Sequence, residues 1–183
     1  DTILIDQSPI VATNRSNICT YLSFFDLIRK EFSLANNVSD SLFTYNGLGA
    51  CPNCKGKGVI VTELIFMEPV TTTCEYCQGN KYSTEALQYR YKGKTITEVL
   101  NMSVLHASEF FGDCPKIKTK LDTLIEVGLD YISLGQPLST FCGGERQHVK
   151  LAENIKKKGT LYILDEPTTG LHSSDIIKIV NIL

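Results

Sequence analysis

Four cysteines in two pairs carry the plainest chemistry in these 183 residues: Cys51-Pro52-Asn53-Cys54 and Cys74-Glu75-Tyr76-Cys77, a C-x₂-C-x₁₉-C-x₂-C spacing. A thiolate pair two residues apart grips an ion from one side, and a second pair completes a tetrahedron. The spacing therefore predicts a structural Zn²⁺ held by Cys51, Cys54, Cys74 and Cys77. Four sulfurs leave no open coordination position, which argues against a catalytic zinc. The chain has seven cysteines and no export signal, so metal is favoured over disulfides, and Cys19, Cys114 and Cys142 are expected as reduced thiols.

A second concentration of chemistry starts at Phe141-Cys142-Gly143-Gly144-Glu145, which opens an amphipathic run through Ala152, and continues in the apolar Leu161-Tyr162-Ile163-Leu164, which delivers Asp165 and Glu166. Two glycines at a helix mouth leave backbone N–H groups unpaired and let a phosphate approach, and the helix dipole favours negative charge there. Adjacent carboxylates at a strand end suit one group near Mg²⁺ and a second polarising a water.

The elements that must position these groups follow from pattern and punctuation. Thr2 to Ile5 reads as a strand and Pro9 as a loop. From Thr20 to Phe32, Tyr21, Phe24, Phe25, Leu27, Ile28 and Phe32 form one helical stripe, expected to be core, and 33–41 reads as a loop. Val59 to Met67 and Val70 to Thr73, broken at Glu68-Pro69, predict a hairpin that joins the cysteine pairs, with Lys55-Gly56-Lys57-Gly58 and Gln78-Gly79 as tight turns. Tyr89 to Tyr91 reads as a strand followed by a Lys-Gly-Lys turn. Ser103 caps a helix through Phe111, and a second helix runs from Pro115 to Val127, closed by Gly128. Lys92-Gly93-Lys94-Thr95 is not a phosphate loop, because Gln88 stands where the first glycine belongs. His106, His148 and His172 lack the spacing of a metal site or triad and are read as structural.

A net charge of −2 with 43% apolar residues gives no global attraction to nucleic acid or membrane, so any such contact needs a local patch. Lys55, Lys57, Lys81, Arg90, Lys92 and Lys94 supply one, in or just after the cysteine pairs. Phosphate contact by Lys55, Lys57, Lys81 and Arg90 is weighed against a merely solvated face. No apolar run approaches the roughly 20 residues of a spanning helix. The expectation is a soluble, cytoplasmic protein without membrane partners, and the opening strand suggests a piece of a longer chain.

Gly143-Gly144-Glu145 with Gln147, Val149-Lys150-Leu151-Ala152 and Leu161-Tyr162-Ile163-Leu164-Asp165-Glu166-Pro167 resemble the signature and Walker B motifs of ABC-type ATPases, and with Leu134-Gly135-Gln136-Pro137 and Thr168 to His172 the wording is that of the UvrA family. The resemblance implies an α/β fold: a partial ABC-ATPase head with an α-helical signature subdomain and an inserted zinc-binding β-hairpin module. It divides the chain into 1–50 (core strand, Q-loop and start of the signature domain), 51–82 (four-cysteine module), 83–140 (helical signature domain) and 141–183 (signature motif, Walker B and D-loop). It makes Gln7, in Asp6-Gln7-Ser8-Pro9-Ile10, the Q-loop sensor of Mg²⁺ and γ-phosphate, Asp165 a Mg²⁺ group and Glu166 the residue acting on water. Cys142, Gly143, Gly144 and Glu145 become nucleotide-binding. Implied partners are ATP and Mg²⁺, damaged duplex DNA, a second copy of the chain and a UvrB-like subunit, in nucleotide excision repair. Cys142 departs from the family's serine, His148 from an arginine, and Val11, Asn14 and Ile18 from a glycine and two prolines. Cys51 to Gly58 also resembles, more weakly, the repeated zinc unit of DnaJ-type chaperones. Two other readings stay open: a UvrA-like paralogue in drug self-protection, and a zinc-based interaction module with a degenerate ATPase.

Overall fold

In the computed structural model of the protein, residues 2–5, 10, 16–63, 68–155 and 161–164 are described. The chain forms two units, Phe25–Leu100 and a second one built from Asp1–Phe24 with Asn101–Leu183. Among the described residues, no helix is long and apolar enough to cross a membrane.

In the discontinuous unit, strand β1 (Thr2–Ile5) pairs in parallel with β4 (Leu161–Leu164), from Thr2 opposite Leu161 to Ile5 opposite Leu164. The short helix α1 (Ile18–Tyr21) starts at Asn17, whose side chain accepts from the Thr20 N–H while the Thr20 hydroxyl accepts from the Asn17 N–H. Helices α4 (Val104–Phe110) and α5 (Pro115–Glu126) pack against each other, and α5 also meets α6 (Gly143–Asn154). On these helices and the α4 C-cap, Val104, Phe111, Ile117, Leu121, Leu124 and Val149 are buried. Ser103 caps α4 by accepting from the His106 N–H, Pro115 occupies the first turn of α5, and Gly128, at φ 81°, turns the chain away after it. These three punctuation marks lie where the sequence places them. Between α4 and α5, Ser108 donates to Asp122 at 2.6 Å, and Lys118 reaches both at 3.1 and 3.0 Å. A polar tie at the edge of an apolar helix pair fixes its register, because the buried hydroxyl would otherwise lose its partners.

In the continuous unit, α2 (Phe25–Asn36) packs on a 3-10 turn at Asp40–Phe43. Its core is aromatic: Phe32 lies 5.1 Å from Phe43 and 5.6 Å from Tyr91 between ring centres, and Tyr45 meets Tyr82 edge-on at 5.8 Å. The Tyr82 hydroxyl, buried, donates to the Phe43 carbonyl at 3.1 Å, which removes the cost of burying it. Strands β2 (Val59–Thr62) and β3 (Val70–Thr73) form the expected antiparallel hairpin, with Val59 opposite Thr73, and helix α3 (Ile96–Leu100) follows Thr95, which exchanges bonds with Glu98.

Three local expectations change. The predicted helix over 20–32 is two helices, because Ser23 takes a left-handed φ of 58° between them, and the second extends through Asn36 into the stretch read as a loop. Tyr89 to Tyr91 forms no strand: Tyr91 only bridges to Lys94 across a turn with positive φ at Lys92 and Gly93. Its ring packs on Phe32, so the aromatic run serves the core and not a sheet.

Phe32 is fully buried against two rings. Phe32→Ala should cost about 3–5 kcal/mol, read as a fall in the urea midpoint followed by far-UV circular dichroism. A shift of under 1 kcal/mol would show that this aromatic cluster does not hold the unit.

Candidate metal centre and glycine-opened helix

The β2–β3 hairpin closes the space between the two cysteine pairs. Cys54 lies just before β2 and Cys74 just after β3, so pairing the strands brings sulfurs remote in sequence to one point. All four sulfurs are within 4.8 Å of one another, with Cys51 4.0 Å from Cys74 and Cys54 3.6 Å from Cys77. A tetrahedral ion with Zn–S bonds near 2.3 Å separates its ligands by about 3.8 Å, whereas a disulfide requires about 2.05 Å. The four thiols are free and buried, so the cluster can hold one metal ion and is spaced for it.

The two halves of this site repeat at an offset of 23 residues. In the first, Lys55 and Gly56 have φ of 50° and 75°, Lys57 N–H donates to the Cys54 carbonyl at 3.0 Å, and Gly58 N–H reaches the Cys54 sulfur at 3.2 Å. In the second, Gln78 and Gly79 have φ of 49° and 82°, Asn80 N–H donates to the Cys77 carbonyl at 2.8 Å, and the Lys81 backbone bonds the Cys77 sulfur. The halves are also laced together. Cys51 N–H donates to the Lys81 carbonyl at 2.9 Å and Cys74 N–H to the Gly58 carbonyl at 3.0 Å. Gly56 is obligatory here, since a Cβ would stand 1.7 Å from the Tyr45 carbonyl oxygen. Cys74 ionises readily: the backbone N–H of Cys77 draws its thiol down, helped by side-chain contacts from Cys77, Asn53 and Cys54, while burial pushes Cys77 up.

The four candidate phosphate contacts stand in unlike settings. Lys55 and Lys57 are exposed on the first knuckle. Lys81 is half-buried, its ammonium 5.6 Å above the Tyr45 ring, and burial lowers its pKa. Arg90 is exposed but donates to the Gly93 carbonyl at 3.0 Å and pairs with Glu98 at 3.3 Å.

At the second candidate site, Cys142 is the N-cap of α6. Its sulfur accepts from the Glu145 N–H at 3.4 Å, and Glu145 Oε2 accepts from the Cys142 N–H at 2.8 Å, a capping box with a thiol in the usual place of a hydroxyl. The other Glu145 oxygen accepts from the Tyr131 hydroxyl at 2.9 Å. The carboxylate is thus folded back onto its own helix and committed to two donors. Gly143 is exposed, and a Cβ added to it meets nothing within 4 Å, so packing does not demand glycine there; Gly144 is buried. The N–H groups of a helix's first turn have no carbonyl within the helix to pair with, which leaves this mouth open to an anion. Gln7, Asp165 and Glu166 lie outside the described residues.

The thiol capping box was open to sequence reasoning, because Cys142 and Glu145 have the box spacing, and so was the 23-residue repeat. Tyr131 was not: fourteen residues from Glu145, it meets the carboxylate only through the fold.

Removing the ion should unfold the cysteine region, since four buried thiols form its core. Excess chelator should release one Zn²⁺ per chain from protein expressed with zinc, measured by a colorimetric dye. Gly56→Ala should carry less than a tenth of that zinc; a full complement would show that the first knuckle tolerates a displaced Tyr45 carbonyl.

No family model matches the sequence. Among curated proteins, the chain is 48% identical over 188 residues to UvrABC system protein A of Halalkalibacterium halodurans, covering 98% of this chain and 20% of that protein. It is 48% identical over 190 residues to UvrABC system protein A of Aquifex aeolicus, covering 99% and 20%. The crystal structure of UvrA2 from Deinococcus radiodurans matches with a TM-score of 0.88 at 41% identity, over 100% of this chain and 23% of that one. The chain thus spans about a fifth of the length of the curated relatives it matches. Its sequence over nearly every residue, and its fold in agreement, mark the chain as a UvrA-like segment.

Proposed function

We propose that the chain is the part of a UvrA-type DNA-binding ATPase that closes over ATP, within a protein recognising damaged duplex DNA in nucleotide excision repair. The single observation that carries this reading is the likeness to UvrABC system protein A at 48% identity across 98% of the chain. The open, glycine-started mouth of α6 supports it, being shaped for an anion and not filled by packing.

In this reading 1–50, 51–82, 83–140 and 141–183 are the core strand with the Q-loop, the zinc module, the helical signature domain and the signature–Walker B–D-loop segment of a partial ABC head. ATP arrives on a Walker A phosphate loop from elsewhere in the assembly, such as a second copy of the protein. The N–H groups of Gly143 and Gly144 and the dipole of α6 face its phosphates. Glu145 serves as the cap that holds this mouth in shape, its charge engaged by Cys142 N–H and Tyr131. Asp165 orders Mg²⁺, Glu166 orients or deprotonates the attacking water, and Gln7 reports the γ-phosphate. Cys51, Cys54, Cys74 and Cys77 hold Zn²⁺, which supplies structure and no reaction step. Lys55 and Lys57, exposed beside it, are the stronger candidates for DNA phosphate, and Lys81 and Arg90 the weaker, given their engagements. A UvrB-like subunit and the cytoplasm complete the setting.

Grafting residues 1–183 in place of the matching segment of the Aquifex aeolicus protein tests the reading. The graft should hydrolyse ATP, and Glu166→Gln within it should lower turnover by about 100-fold or more while nucleotide still binds. Turnover indifferent to that change would overturn it. In the same graft Cys142→Ser replaces a weak donor with a good one, about 1 kcal/mol, and should raise turnover roughly fivefold at saturating ATP. An unchanged or lower rate would mean that the thiol serves the helix mouth as well as a hydroxyl does.

A further inference from the structure

The near-symmetry of the cysteine site makes one of its differences informative. Positions 51, 54, 55, 56 and 58 of the first half correspond to 74, 77, 78, 79 and 81 of the second, in backbone conformation and in the bonds their amides make. Between the cysteines both positions differ, Pro52 corresponding to Glu75 and Asn53 to Tyr76, and the second pair bears on the sulfurs. Asn53 and Tyr76 are both exposed, but the Asn53 side-chain amide donates across the site to the Cys74 sulfur at 3.5 Å, whereas among the described residues Tyr76 directs no such bond to Cys51. Among the described residues the Cys51 sulfur meets the Cys74 thiol and no side-chain N–H.

We propose that Asn53 is a positioning residue of the metal centre, a clamp from one knuckle onto a sulfur of the other, which makes Cys51 the first ligand to let go and Cys74 the last. The proposal rests on the reading of the four cysteines as a tetrathiolate site. A hydrogen bond to a bound thiolate draws electron density from the sulfur, so the sulfur resists protonation and attack by an electrophile; it also fixes the Cα–Cβ–S direction. The amide has the right polarity for this, offering N–H toward sulfur, the only orientation in which it stabilises a thiolate. Because donor and acceptor belong to different halves, the bond also resists the separation of the two knuckles that metal loss requires. Cys51 has no equivalent restraint, although its backbone is held by the Lys81 carbonyl just as that of Cys74 is held by Gly58.

The test uses the whole 183-residue chain loaded with Zn²⁺ or Co²⁺. Asn53→Ala should speed zinc transfer to a chromophoric chelator by about 10-fold or more. Asn53→Asp, which keeps the shape but offers no N–H, should do at least as much, whereas Tyr76→Ala should leave the rate within twofold. The sulfur-to-cobalt charge-transfer band should move to lower energy in both Asn53 variants, a change that altered packing alone would not produce. Slow alkylation of the zinc form followed by peptide mass spectrometry should label Cys51 before Cys74 in the parent, and the preference should vanish in Asn53→Ala. Normal zinc content with unchanged release, band and labelling order would overturn the clamp alone. A parent chain that binds no zinc would sink the clamp and the tetrathiolate reading together.

Discussion

Four sulfurs converging on one point are the constraint on which the hairpin region depends. Strands β2 and β3 bury almost nothing: β3 is exposed along its whole length, and among the described residues only Ile60 is a hydrophobic packed against the cysteine cluster. A two-stranded hairpin of this kind is marginal in water without another source of stability. The stability must come from the thiol cluster, and an ion bound there would add to it, since ligand binding that exists only in the folded state adds directly to folding free energy. This explains the density of unusual backbone there. Lys55, Gly56, Gly58, Gln78, Gly79 and Lys81 all take positive φ, a conformation that turns folding back on the cysteine sulfurs require and an apolar core would not.

The discontinuous unit solves a different problem by ordinary means. Its helices meet over aliphatic faces, and its polar bonds sit at their ends and edges: Asn17 and Ser103 as caps, Ser108 with Asp122 and Lys118 as a tie. The mouth of α6 combines both kinds of economy. Glu145 closes a cap, balances the helix dipole and receives Tyr131, so a single carboxylate keeps the glycine-opened first turn of α6 in order without occupying the space in front of Gly143. A negative group beside an anion site would repel the anion if it were free to swing; held by two donors, it is kept to one side.

What could be read in advance was what is local. The cysteine spacing, the β2–β3 pairing, the caps at Ser103 and Pro115 and the stop at Gly128 each depend on a few adjacent residues whose backbone preferences are strong. The break at Ser23 was hidden because one helical period passes through it with the right apolar residues on both sides, and serine gives no warning of a left-handed φ. Tyr89 to Tyr91 misled because aromatic residues favour strands only where a sheet receives them, and here a core of rings does. Lys81 read as one basic residue among several until its ammonium was found over Tyr45. Asn53 and Tyr131 act through partners that only the fold brings near.

The pairing of β1 with β4 sets a timetable. Thr2 and Leu161 are neighbours in the sheet but nearly the whole chain lies between them, with an entire second unit, Phe25–Leu100, interposed. At ribosomal speeds of about 5–20 residues per second, β1 waits roughly ten to thirty seconds for its partner to be made. Throughout that wait the cysteine unit can complete itself, since all its contacts are nearer in sequence, while Leu4 and its neighbours offer an unpaired apolar edge. The order of assembly is therefore inside first and margin last, with β1 made well before the strand that completes its pairing.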